Sequence, residues 1–370
     1  RLLRALLRPA EARAEQERAI AKEPGYVPAR YERALLLLRE YALRVRELRE
    51  EWLRAEGRRL VAEDGRSRGE ARMRARPTDA ELAAGDARAG SLRVAIGEDL
   101  EWVARGAADG GATGVSPALL DCAQGMRLFY VGVSRENAAD ARALLERALA
   151  SDPSLEEAYE ARAALERALG DAQAAIEAYG RGLEADRGYL PHWLGRAAAR
   201  SDLALARLGR GADPSEALAA AEADCRAALD LDRGCLDAWR ARGAVRLQRA
   251  LFLEARGEDA REGYTGADAD FDEALRLDPR SAAAWLSRGT VRLDRAHFGW
   301  MRGEDAGPGF RAAAEDYARA QELAPGSAEG WIGCGTAHLD EALFDQGRGR
   351  DAAELLVRAE REISAALEIE

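Results

Sequence analysis

The chain has 370 residues, 33% of them charged and 6% aromatic, with a formal net charge of −11. Alanine, leucine, arginine and glutamate dominate and proline is scarce, the composition of an all-helical protein. No run of 18 apolar residues and no signal-like opening segment are present, and Cys122, Cys225, Cys235 and Cys334 show neither CxxC nor Cys–His spacing. A membrane span, a secretory leader, a zinc site and a disulfide framework are therefore not supported.

The predicted elements begin with a helix over residues 9–23, closed by Pro24. A long amphipathic helix follows over 27–64, carrying Leu38, Val45 and Trp52 at seven-residue steps. Residues 65–76 are rich in Arg and Gly and read as a loop. Thr78 and Glu81 form a capping box that starts a second long helix, over 78–107. Glycines 110–114 break the chain, Ser116-Pro117 opens another helix, and a hairpin near Arg135 leads into a phased region. Residues 1–76 are net basic (+7) and the remainder carries −18. The basic side chains are interleaved with Glu, so nucleic-acid binding is not expected and a solvated mixed-charge helix is the simpler reading. Residues 1–150 thus form an atypical helical region.

From residue 151 a repeat takes over. Trp193, Trp239, Trp285 and Trp331 are 46 residues apart each time. Small residues recur four positions on (Ala197, Gly243, Gly289, Gly335), and large or medium ones recur at Cys225, Phe271, Tyr317 and Ile363. Such a period signals stacked supersecondary units. Each unit holds Arg-Gly-x-Asp at one phase, beginning at Arg210, Arg256, Arg302 and Arg348. Gly past a helix end takes the left-handed cap, and the Asp two residues later is expected as the N-cap of the next helix. The turn then falls inside the added residues, and about six of them go to each helix. Ala204, Ala250, Ala296 and Ala342 should continue the close-packed seam. Arg196, Arg242 and Arg288 are expected to pair with Asp224, Asp270 and Asp316 across each hairpin, a bidentate geometry that favours Arg over Lys. Phe252, Phe298 and Phe344 read as packing between adjacent units.

The Trp/Tyr, Gly/Ala, Ala, aromatic, Ala and Pro pattern resembles the tetratricopeptide (TPR) repeat family. One unit has that family's 34-residue length, from Tyr159 to Trp193, with Ala163, Ala175 and Tyr179 in the matching slots. Residues 151–187 form this standard unit, and 188–370 form four extended 46-residue units, the last one truncated. The extended units are also similar to TPR regions attached to bacterial Ser/Thr protein kinases, although no kinase residue is present. The resemblance implies an all-α, right-handed α-solenoid of antiparallel helix pairs. It further implies a concave face, lined by the first helix of each unit, that grips peptides. The inward residues are then Leu194, Asp202, Arg240, Leu247, Gln248, Leu286, Thr290, Asp294, Ile332, Thr336 and Asp340. Their apolar and acidic character points to a protein or peptide partner with an apolar or basic segment.

Catalytic chemistry is not supported. His192, His297 and His338 fill ordinary packing or helix-start slots, Cys225 and Cys235 fill packing and helix-start slots, and Cys122 lies on a predicted helix without a nearby His. No cofactor or metal is expected. The reading is a non-catalytic, cytoplasmic interaction scaffold, and a piece of a longer polypeptide. The alternative is a structural protein that self-assembles end to end through open solenoid ends.

Overall fold

The computed structural model describes residues 9–23, 29–34, 36–37, 40, 86–108, 116–131 and 135–369. All regular structure among these residues is α-helical. The chain divides into two compact units, Arg1–Asp186 and Arg187–Glu370.

The first unit contains α1 (Pro9–Lys22), α2 (Ala87–Ala108), α3 (Pro117–Val131), α4 (Arg135–Ser151), α5 (Glu156–Ala168) and α6 (Ala172–Ala185). Helices begin at Pro117 and Arg135 as expected. The second long helix ends at Ala108, one residue from its expected end, and its start at 78 lies outside the described residues. So do the loop 65–76, the capping box and nearly all of the helix expected over 27–64. Of the latter only residues 29–34, 36–37 and 40 are described, and they are helical. Leu92, Ile96, Leu100 and Val103 of α2 recur at helical spacing and bury one face against Tyr31, Cys122, Met126 and Leu145. Asp99 is fully buried within this unit and accepts bonds from Arg30 (3.2 Å) and from both prongs of Arg33 (2.7 Å each).

The second unit is a solenoid of four hairpins. They pair α7 (Leu190–Gly209) with α8 (Ser215–Leu231), α9 (Leu236–Ala255) with α10 (Arg261–Leu277), α11 (Ala282–Met301) with α12 (Gly307–Leu323), and α13 (Ala328–Gly347) with α14 (Ala353–Ile369). Each first helix has 20 residues and each second helix 17, against 13 and 14 in the α5–α6 hairpin. The lengthening is therefore unequal, correcting the expectation of an even split: the first helix takes seven added residues, the second three and the turn two.

The reason lies in the turn. Gly211, Gly257, Gly303 and Gly349 have φ of 71–79°, a region open to glycine at little cost. Around Gly211 the Gly N–H donates to the Leu208 carbonyl and the Ala212 N–H to that of Arg207, a Schellman closure repeated in every long unit. The Asp that follows is not the N-cap. It sits one residue earlier, and its carboxylate accepts the N–H two residues on: Ser215 (2.8 Å), Arg261 (3.1 Å) and Ala353 (3.0 Å). One further residue, Pro214 or Ala260, stands between it and the helix, which shortens the second arm.

Close approach holds the two arms together. Ala204, Ala250, Ala296 and Ala342 are each at most 6% exposed. A Cβ at Gly263 would come within 2.9 Å of the Ala250 Cβ, and one at Gly309 within 2.8 Å of that of Ala296. Nearer the Trp, a Cβ at Gly243 would meet the Phe271 ring at 2.9 Å and one at Gly289 the Tyr317 ring at 3.0 Å. In α7–α8 the same contact is made by Ala197 against Cys225, both buried, so a slightly larger residue faces a smaller one.

Candidate binding face on the first helices

Each Trp of the first three long hairpins is fixed at both ends. The indole Nε1–H of Trp193, Trp239 and Trp285 donates to the carbonyl six residues earlier, on Arg187 (2.9 Å), Arg233 (2.8 Å) and Pro279 (3.0 Å). The ring face carries the guanidinium of the Arg three residues on, at 5.0, 4.7 and 4.6 Å from the centroid. That Arg makes the expected bidentate pair with the buried Asp of the partner helix. Arg196 donates to Asp224 at 3.0 and 2.7 Å, and Arg288 to Asp316 at 2.9 and 2.7 Å.

A second arginine, not anticipated from the sequence, completes the arrangement. Arg200, Arg246 and Arg292 donate to the same three aspartates at 2.6, 3.0 and 3.1 Å. Arg246 and Arg292 also reach back to the preceding second helix, at Glu222 (2.9 Å) and Asp268 (3.0 Å). The signal was legible: an Arg recurs seven residues after each of the first three tryptophans. Burial raises the Asp316 pKa and the two guanidiniums oppose the rise. Phe298 packs against Tyr264 and Phe344 against Phe310 and Trp300, so two of the three stripe members contact neighbouring hairpins, while the Phe252 ring carries Arg256 of its own hairpin at 5.5 Å.

With one side of each first helix committed to this lattice, the opposite face remains. Positions one, five, twelve and sixteen after each Trp fall within about 60° of one another at 100° per residue. Of the anticipated site residues, most are half-buried and already engaged. Leu194, Leu247 and Leu286 pack against the cores of their own hairpins. The Thr290 hydroxyl donates to the Leu286 carbonyl (3.0 Å) and accepts from Tyr317 (3.1 Å), and Thr336 donates to the Ile332 carbonyl (2.8 Å). Arg240 lies 3.4 Å from Asp237, Asp202 is half-buried, and Gln248 has a buried Oε1 with no partner. Ile332 alone of the apolar members is exposed, at 39%.

The exposed apolar surface lies farther along, in the added turns. Leu205, Leu251 and Leu343, twelve residues after their tryptophans, are 54%, 43% and 45% exposed, and Met301 is 71% exposed. His297 occupies the fourth place in this ladder. Its Nε2 stands 2.9 Å from the Asp340 carboxylate, which raises its pKa, and its ring meets Phe310 edge-on at 5.2 Å. One turn before it, Asp294 is held by burial at a pKa of about 6, with Glu254 adding to the rise and His297 opposing it. The result is a row of leucines interrupted by a cluster of acids around one histidine. Burial pushes the Cys225 and Cys334 thiols up to about 12, away from the reactive thiolate.

Paired antiparallel helices, glycine-closed turns and small-against-large contacts repeated at a fixed interval define an all-α helical-repeat solenoid. Similar folds occur in TTC0263, a thermophilic TPR protein of Thermus thermophilus (20% identity over 60% of this chain and 99% of that one, TM-score 0.41), and in a tetratricopeptide repeat protein of Parabacteroides merdae (15%, 78% and 97%, 0.44). YrrB, a TPR protein with an unusual peptide-binding site, is also similar (18%, 60% and 96%, 0.38). No family model and no curated protein matches the sequence. No helix among the described residues is long and apolar enough to cross a membrane.

Proposed function

We propose that the chain is a non-catalytic scaffold whose first helices in the second unit bind a protein or peptide segment that is apolar and basic. The observation that carries this reading is the ladder of Leu205, Leu251 and Leu343, joined by Met301 and Ile332 and set beside Asp294 and Asp340. Isolated exposed leucines need no explanation, but the same slot exposed on α7, α9 and α13, with His297 in that slot of α11, forms an ordered row. Adjacent helices lie about 8–10 Å apart, close to three residues of extended chain, so a segment with an apolar residue at every third position matches the ladder. Basic residues between them meet the acidic edge.

Calorimetric titration of the chain with such a peptide, and with a poly-acidic one, tests this. Tight binding of the apolar–basic peptide, weakened about tenfold or more by Leu251→Asp together with Leu343→Asp, supports the reading. Preference for the poly-acidic peptide, lost on Arg240→Glu, overturns it.

One observation favours the second reading, assembly between copies. Leu229 and Leu275 are covered by the next hairpin and are 3% and 6% exposed, whereas Leu367 in the same slot of α14 is 65% exposed, as is Val357. A helix packed on this face, of a second copy or of the same polypeptide, would cover them. Light scattering across protein and salt concentration separates the readings, because a constant monomer mass excludes assembly.

A further inference from the structure

The last long hairpin departs from the other three in its lattice positions. Where Arg196, Arg242 and Arg288 cover an indole face, α13 carries Cys334, whose Sγ turns to the Ala314 carbonyl at 3.3 Å. The groups that would enclose a guanidinium then bound an open cleft of about 450 Å³, lined by Trp331, His338, Arg358, Arg361 and Glu362. The volume is in the range of small-ligand sites.

The sign of the cleft follows from its lining. Its one carboxylate, Glu362, is already matched by His338 Nδ1 at 2.7 Å. Arg358 reaches Glu354 at 2.5 Å across an exposed pair that is weak in water. Arg361 is exposed and has no hydrogen-bond or ion-pair partner among the described residues. Trp331 differs as well: its Nε1–H is buried with no acceptor, whereas the equivalent N–H of Trp193, Trp239 and Trp285 is bonded. Two guanidiniums at the wall, against a single carboxylate already hydrogen-bonded to His338, disfavour a cation and favour an oxyanion. The Trp331 ring, which lines the cleft without the guanidinium that caps the other three indoles, favours a flat apolar body beside that group.

We infer that the cleft between α13 and α14 binds an organic oxyanion, a carboxylate or phosphate carried on a flat apolar group. The site is separate from the leucine ladder, and its test does not depend on it.

Indole N–H resonances of the whole chain, with Trp331 assigned through Trp331→Phe, provide the readout. The probes are benzoate, phenyl phosphate and benzamidinium, each added at constant ionic strength. Saturable movement of the Trp331 resonance with benzoate or phenyl phosphate is expected, and the tighter of the two names the oxyanion. Arg361→Ala should weaken binding about tenfold, as loss of a charge-assisted contact does. Cys334→Arg, which returns the guanidinium found in the other three units, should abolish it. Arg361 is exposed, so its variant keeps the test decisive even where Cys334→Arg perturbs the hairpin. The inference falls if benzamidinium alone moves the resonance, if no probe does, or if both variants respond as the parent chain.

Discussion

At the scale of single residues, the strongest commitment is the buried carboxylate shared by two arginines. Asp270 is 1% exposed and takes hydrogen bonds from Arg242 (2.6–3.1 Å) and Arg246 (3.0 Å). Removing one partner of such a pair leaves buried charge without compensation, whereas removing both groups together is nearly neutral. Arg242→Met is therefore expected to destabilise the second unit by about 2–4 kcal/mol, at the lower end because Arg246 remains. Arg242→Met combined with Arg246→Met and Asp270→Leu should recover most of that loss. Urea unfolding followed by circular dichroism measures both, and a triple variant as unstable as the single one would refute the account. Asp294 makes a contrasting case, since burial holds its pKa at about 6, above an ordinary Asp. The folded state then binds the extra proton between about pH 4 and pH 6, so this residue's contribution is full below that window and is lost as pH rises through about 6. Asp294→Asn should accordingly gain stability relative to the parent chain at pH 7 and lose that advantage at pH 4. Melting temperatures of the two proteins at both pH values decide it; an equal difference at each pH would count against it.

At the scale of the helix hairpin, the turn glycine and the seam alanine set the length of each arm. Gly257 has φ of 73° and open space where a Cβ would stand, so the cost of a side chain there is conformational alone. Gly257→Ala should cost about 1–2 kcal/mol, while Gly209→Ala, inside α7 and also with free space, should be neutral or slightly stabilising. Thermal unfolding of the two variants checks this; equal effects would argue against the left-handed cap. The same elements show what could be read in advance. The 46-residue interval, the turn glycines and the Arg–Asp partners are local or strictly periodic, and each carries its own stereochemical reason. The division of added residues between the arms was not legible, because it depends on whether Asp213 caps the helix itself or stands one residue outside it. The exposed face of the first helices was read only in part. Helical phase located Leu194, Leu247 and Leu286 correctly on the first helices, but phase alone does not say that they would be spent on packing. Nor does it show that exposure shifts to Leu205, Leu251 and Leu343, which depends on how far the neighbouring arms reach.

At the scale of the whole molecule, a solenoid has no single core, and each hairpin is held by its neighbours. Stability is then graded along the chain and follows the quality of successive contacts. Within the second unit, α9–α10 and α11–α12 have hairpins on both sides and a complete Trp–Arg–Asp lattice. The α13–α14 hairpin has Cys334, His338 and Glu362 in the lattice positions, an unsatisfied Trp331 N–H, and an outer face on which Val357 and Leu367 are each 65% exposed. Amides of α13 and α14 should therefore exchange through local opening well before those of α9–α12. Hydrogen exchange followed by mass spectrometry on the intact chain reads this directly. Restoring the lattice with Cys334→Arg, His338→Arg and Glu362→Asp should slow exchange in α13–α14 and leave α7–α10 unchanged. If the four hairpins exchange together, the second unit opens as one cooperative body, and nearest-neighbour contacts do not govern its stability.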